Sequence, residues 1–218
     1  MKVTAYLVRH GQTYMNLYNK VQGWIDSPLT KKGLEDADNA GERLKDINFD
    51  AAFSSDSGRA IQTAHHILQA NNNNINIISY QFPELREQFH GYFEGENLEQ
   101  MWQFVGEQVK TTSEAGVLKN FGLEKARDLI AKADLYNNAE DNKTFWKRVD
   151  RGIDRIRENT KDGDKILIVS HGMTIRSIVD RYNPALDIGE PAKNGSITKL
   201  IITDKDIKVE YFNNLGKV

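Results

Sequence analysis

Short apolar runs of strand length alternate along this chain with stretches whose apolar residues recur every three or four positions. No other feature constrains the fold as tightly, because this alternation is the pattern of a parallel sheet joined by crossover helices. Lys2 to Val8 reads as a buried strand. Thr30 is placed to cap a helix running to about Asp46, with Leu34, Ala37, Ala40, Gly41 and Leu44 on one stripe. Ala51 to Ser54 reads as a second strand, and Ala60, Ile61, Ala64, Ile67 and Leu68 as a helix. The polar run Asn71 to Asn74 reads as a loop and Asn76 to Tyr80 as a strand. From about Glu96 to Lys143 the periods are helical, with no strand among them, which reads as an insertion over the sheet. Phe145, Val149, Ile153 and Ile156 mark the next helix, Lys165 to Ser170 a strand, and Met173 to Tyr182 a helix. Ser196 to Thr203 and Ile207 to Phe212 read as a closing hairpin. The expectation is a three-layer α/β/α fold with a mostly parallel central sheet, one domain over 1–218 with a helical cap over about 96–143.

Composition excludes several classes of function. With 39% hydrophobic and 28% charged residues in 218, the chain can bury a substantial core, and disorder is out. It has no cysteine, which removes disulfides, thiolate catalysis and cysteine-ligated metals. A net charge of −2 supplies no global field toward nucleic acid or an anionic membrane, so any anionic ligand must be held locally. No run of about 18 apolar residues appears, and Met1 to His10 holds no long apolar stretch ending in a small-residue cleavage site. The expectation is a cytoplasmic chain that neither crosses a membrane nor is secreted. The sequons Asn142-Lys143-Thr144 and Asn194-Gly195-Ser196 are read as chance.

In an open parallel sheet, ligands bind beyond the carboxyl ends of the strands. Three of these ends carry unusual chemistry: Arg9-His10-Gly11, the run Ser54 to Arg59, and Ser170-His171-Gly172. If the strands are neighbours, two histidines and two arginines converge on one electropositive edge with a nucleophile available. Taken alone, each histidine reads as a structural hydrogen-bonder, each arginine as a surface charge, and Gly11 and Gly172 as turn residues. The repetition of His-Gly at two strand ends changes that reading. His65 and His66 fall inside a helix, and none of the five histidines has a metal-ligand spacing.

Leu7-Val8-Arg9-His10-Gly11-Gln12-Thr13 resembles the Arg-His-Gly signature of the histidine phosphatase superfamily, the phosphoglycerate mutase-like proteins. Asn16, Gln22-Gly23-Trp24 and Asp26 to Thr30 resemble its continuation. The run Ser54 to Ala64 resembles its second arginine motif, Leu85-Arg86-Glu87 with Gly91 and Glu94-Gly95 its acidic motif, and Val169 to Gly172 its second histidine. The four motifs stand in family order and span nearly the whole chain.

The resemblance implies an enzyme in which His10 attacks phosphorus to give a phosphohistidine that water then hydrolyses. Arg9 and Arg59 would clamp the equatorial oxygens, and His171, protonated when phosphate is bound, would add a further donor. It further implies phosphate contacts from Asn16, from the Gly23 backbone and from Gly172, a substrate contact from Gln22, and no metal or cofactor. The leaving oxygen needs a proton, and alignment on Leu85-Arg86-Glu87 selects Glu87 over Glu84. Phe89, Tyr92 and Phe93 are expected to give Glu87 an apolar setting, while Glu94 reads as a solvated loop acid.

A mutase needs extra cations to hold a doubly charged acid, and after Glu87 only Lys110 and Lys119 appear for a long way, without paired arginines. Met173 also stands where glycolytic mutases resemble one another in having asparagine. The reading is therefore a phosphomonoesterase for a small phosphorylated metabolite. The alternatives are a cofactor-dependent phosphoglycerate mutase and a silent phosphate-binding protein. Trp102, Phe104 and Phe121 of the insertion are expected to wall the pocket, and a homodimer is left open.

Overall fold

The structure, a computed structural model, describes residues 1–71 and 77–218. The expected loop at 71–74 and the start of the expected strand at Asn76 therefore lie largely outside the described residues. Six strands form one sheet: β1 (Lys2–Arg9), β2 (Ala51–Ser54), β3 (Ile78–Gln81), β4 (Lys165–Ser170), β5 (Ile197–Thr203) and β6 (Ile207–Asn214). Their spatial order is β3-β2-β4-β1-β5-β6. The first four run parallel, whereas β5 and β6 pair antiparallel along one side, so the sheet is mostly parallel.

Period-two burial on β1 and β4 divides the core into two layers. Val3, Ala5, Leu7, Ile166 and Ile168 face one layer, which contains Phe145, Val149 and Ile153 of α6 (Asn142–Glu158) and Ile175 and Ile178 of α7 (Gly172–Tyr182). Tyr6, Val8, Leu167 and Val169 face the other, against Ala40 and Leu44 of α2 (Lys31–Leu44) and Ala60, Ala64 and Ile67 of α3 (Gly58–Ala70). The three-layer α/β/α architecture follows. Thr30 does cap α2, accepting the Gly33 N–H at 3.0 Å. Gly33 is glycine because a Cβ there would lie 2.0 Å from the Gln12 carbonyl oxygen, and a Cβ on Gly11 would lie 2.1 Å from the Gly33 carbonyl oxygen, so α2 meets the end of β1 backbone to backbone.

The insertion carries α4 (Leu98–Glu107) and α5 (Glu114–Ala133). Met101, Trp102, Val105, Val117, Ala126 and Ile130 build a third, separate cluster with Val21 and Phe93. Gly122, at φ 73° and ψ 174°, breaks α5 into two pieces, a conformation open essentially only to glycine. The first piece carries Glu114 and Val117, and the second carries the residues of the cluster nearest α6. Of the three expected wall residues, only Trp102 is buried; Phe104 and Phe121 are 48% and 40% exposed. Both sit on outer faces of their helices, which aromatic type alone does not reveal. No helix among the described residues is long and apolar enough to cross a membrane.

Candidate active site

Because β1, β4 and β2 are adjacent and parallel, the residues that follow them meet at one edge. Arg9 stands in register with Ser170, and the His10 N–H donates to the Ser170 carbonyl at 3.1 Å. His10 and His171 thus leave neighbouring strands together, their ring centroids 5.1 Å apart. Arg59, in the first turn of α3, completes the group from below.

Proton positions follow from the hydrogen bonds. His10 Nδ1 lies 2.8 Å from the Gly11 carbonyl oxygen, which can only accept, so Nδ1 carries the proton and Nε2 keeps its lone pair. Arg59 Nε–H approaches that Nε2 at 3.4 Å. His171 Nδ1 accepts from Arg59 Nη2–H at 3.1 Å, which leaves Nε2–H to donate to Ser55 Oγ at 2.7 Å. Both imidazoles are buried and stand beside cations. Burial first, then Arg59 and Arg9, hold His10 well below the ordinary histidine range, and burial, then Arg59, hold His171 there. Without a ligand, His171 is therefore neutral; the protonated state expected with phosphate bound belongs to the loaded site.

These shifts carry a stability consequence. Above about pH 6.5 both histidines are neutral in folded and unfolded chains alike, whereas below it only the unfolded chain takes up their protons. Stability is therefore expected to fall as the pH drops below 6.5, by up to about 1.4 kcal/mol per pH unit for each histidine. Urea unfolding at pH 7.5 and 5.5 measures the slope. The double variant His10→Gln, His171→Gln should flatten it, and an unchanged slope would place its origin elsewhere.

All five Arg59 donors have protein partners. Nη1 donates to the Ile25 carbonyl (3.0 Å) and to Asp26 Oδ1 (2.9 Å), and Nη2 also donates to the Gly23 carbonyl (2.7 Å). Only the Nε/Nη2 edge faces the two imidazoles, and those two contacts are the ones an anion can replace. Burial is the main influence lowering the pKa of both Arg59 and Arg9. Arg9 donates through Nη1 to the Ala192 carbonyl, while its Nε is buried without a protein partner. A Cβ at Gly172 would lie 3.3 Å from the Arg9 guanidinium carbon, so glycine leaves room for that group over the start of α7.

Glu87 closes the opposite side. Its Oε1 accepts from the N–H groups of Gln88 (3.0 Å) and Thr174 (2.9 Å) and from the Thr174 hydroxyl (3.0 Å), and its Oε2 accepts from the Met173 N–H (2.8 Å). The carboxyl is thus clamped onto the N-terminus of α7, where unpaired N–H groups are available. The neighbouring rings pack on other rings, Phe89 tilted against Trp24 and Tyr92 against Phe93 edge-on and Tyr136, while the Glu87 carboxyl turns to α7. Arg148 fixes the segment by donating to the carbonyls of Glu84, Arg86 and Glu87. Glu84 itself faces away, held by Arg155 at 2.7 Å and Arg151 at 3.3 Å.

Two expectations need correction. Glu94 is a partly buried anchor and no solvated loop acid: it accepts from the N–H groups of Gly23, Trp24, Ile25 and His90 at 2.9 to 3.1 Å. Although burial alone would raise it, the His90 side chain and these N–H groups bring Glu94 down to about 2. Gly23 consequently spends its N–H on Glu94 rather than turning it to a ligand, and it is glycine because a Cβ would collide with the Gln88 carbonyl at 2.2 Å.

Arg9, Asn16, Gln22, Glu87 and Gly172 line one cavity of about 170 Å³. Gln22 accepts the Thr13 hydroxyl proton through Oε1 and leaves Nε2 buried without a protein partner. Asn16 accepts the Thr13 N–H at 3.2 Å, and Asn194, read from sequence only as part of a sequon, bridges Asn16 and the His10 carbonyl. Sequence reasoning also missed Ser55 and Thr174, which hold His171 and Glu87, and the cavity-lining Lys20 and His90. Lys110 and Lys119 do not line it. His66 pairs with Asp38 at the surface, away from the site.

The family model described as histidine phosphatase superfamily, branch 1, matches residues 5–215. A 2,3-bisphosphoglycerate-dependent phosphoglycerate mutase of Bartonella henselae is 31% identical over 82% of this chain and 81% of its own. Among solved structures, a phosphoglycerate mutase from Bacillus anthracis superposes with a TM-score of 0.90 at 39% identity, covering 98% of this chain and 94% of that one. An alpha-ribazole phosphatase from Shigella flexneri gives 0.73 at 25% identity, covering 100% and 98%.

Proposed function

The chain belongs to the histidine phosphatase superfamily, and from that premise we propose that it hydrolyses phosphate monoesters of small metabolites through a phosphohistidine on His10. The observation that carries this reading is the unprotonated His10 Nε2 set beside two buried guanidinium groups. Phosphoryl transfer spreads negative charge over three equatorial oxygens, and catalysis consists mostly of positioning and opposing charge. The Arg59 Nε/Nη2 edge, Arg9 Nε and Gln22 Nε2 are the donors available for those oxygens. His10 Nε2 attacks in line, the P–O bond to the alcohol breaks, and Glu87 delivers the proton that the alcohol oxygen takes. Water then attacks the phosphohistidine, with the Glu87 carboxylate receiving its proton, and inorganic phosphate leaves.

The cavity mouth favours hydrolysis over transfer. Lys20 is its lysine, whereas Glu114 places a carboxylate there, paired to Arg176 at 3.0 Å. The Glu114–Arg176 pair adds no net positive charge there, which leaves Lys20 as the mouth's lysine for a second phosphate or carboxylate on the substrate. The mutase reading draws on the similarity to the Bartonella and Bacillus phosphoglycerate mutases. The two readings separate on the fate of the phosphoryl group. With 3-phosphoglycerate, phosphate release should outrun formation of 2-phosphoglycerate, with or without 2,3-bisphosphoglycerate. Interconversion faster than release in the presence of the bisphosphate would make the chain a mutase.

A further inference from the structure

Beyond the groups that meet phosphate, the cavity changes character. Val21, Leu98, Met101, Trp102, Met173 and Pro191 line it there together with Lys20, His90 and Glu114, and Leu98, Met101 and Trp102 give α4 a continuous apolar wall. Met101 and Trp102 are at the same time members of the insertion's own core, so this wall is braced from behind and cannot fold away easily. Trp102 adds a second feature. Its indole Nε1 is buried with no protein partner, and an indole N–H can only donate. A buried donor left unpaired is costly, and Trp102 both lines the cavity and carries one.

Resting on the phosphatase reading, we propose that Leu98, Met101 and Trp102 form the subsite for the alcohol part of the substrate. The substrate class is a phosphomonoester of an alcohol with an apolar, ring-sized body and a neutral oxygen or nitrogen acceptor. A short polyhydroxy or carboxylate-bearing alcohol fits this wall poorly, because it would bury polar groups against the aliphatic side chains of Leu98 and Met101. Lys20, at the mouth, does not offset this, because a charge on the substrate would still lose water on its apolar side.

The test uses the purified full-length chain and phosphate release from three primary-alcohol phosphates: ethyl phosphate, 2-phenylethyl phosphate and 2-(4-hydroxyphenyl)ethyl phosphate. The kcat/KM for the phenylethyl ester is expected to exceed that for the ethyl ester by about tenfold or more. Trp102→Ala should bring that ratio to near one, while Trp102→Phe should keep the ring preference and lose any advantage of the hydroxylated ester. Should Trp102→Ala fold poorly, Leu98→Asn on the same wall is expected to lower the ratio too. Phosphate released from ethyl phosphate as efficiently as from the arylethyl esters, or a ratio unmoved by Trp102→Ala and Leu98→Asn alike, would overturn the subsite and leave the phosphatase reading standing. No phosphate from any ester would overturn that reading and the subsite with it.

Discussion

His10→Ala is expected to abolish turnover, a loss on the order of 10⁴-fold or more, while leaving the fold intact. The imidazole makes one short hydrogen bond, to the Gly11 carbonyl beside it, and one long contact to Arg59, so few structural partners are stranded by its removal. Losing a ring held neutral by burial also removes a group that destabilises the chain in acid. Rapid acid quench is the wrong trap for wild type, since a phosphohistidine is acid-labile; alkaline quench with labelled substrate should retain one phosphoryl group per chain, and the variant should retain none. Label on a serine, Ser55 being the nearest to the pair of imidazoles, would remove His10 from the role of nucleophile. So would an active variant with a normal melting temperature.

Sheet and layers were readable in the sequence because each strand of the core is buried on both faces. Lys165 to Ser170 is apolar throughout its middle, and β1 sends alternate residues to two different layers. The insertion was readable only as helical. Its third cluster closes on Val21 and Phe93, which come from outside the insertion, and periodicity within a segment says nothing about partners so distant in the chain. The break at Gly122 was likewise hidden, since glycine in a helical pattern is tolerated and its φ is decided by tertiary packing.

At the site, the strand-end rule placed Arg9, His10, Arg59 and His171 together because parallel neighbours must present their following residues at one edge. What position in the sequence does not give is where each hydrogen-bonding group is spent. Gly23 carries an N–H like any other residue; that Glu94 takes it depends on a contact 71 positions away. Glu87 is followed within six positions by Phe89, Tyr92 and Phe93, yet its carboxyl turns to Met173 of α7, 86 residues further on. Asn194 and Ser55 were visible as letters in the sequence, but their roles as braces for His10 and His171 depend on the packing of β5 and β2 against the centre of the sheet.

Glu87→Gln is the second large effect, and the structure sharpens its form. All four donors that hold this side chain point at it, two of them backbone N–H groups of α7. A glutamine must turn its own N–H₂ toward at least one of them, most simply the Met173 N–H, so two donors face each other and the side chain is both chemically silent and displaced. Alkyl phosphates, whose alcohols leave only when protonated, should slow by about 10²–10⁴-fold. With p-nitrophenyl phosphate the leaving group departs without help, and the first turnover should be nearly as fast as in wild type. Attack of water on the phosphohistidine still needs a base, so a burst of p-nitrophenol equal to one per chain, followed by a slow steady state, is expected. Stopped-flow absorbance reads both phases. Equal slowing of the burst and of alkyl ester turnover would make Glu87 a structural brace for α7 with no part in proton transfer. Glu84→Gln supplies the contrast: its carboxyl is engaged by Arg151 and Arg155 outside the cavity, so any loss there should be the same for both substrates and should follow stability.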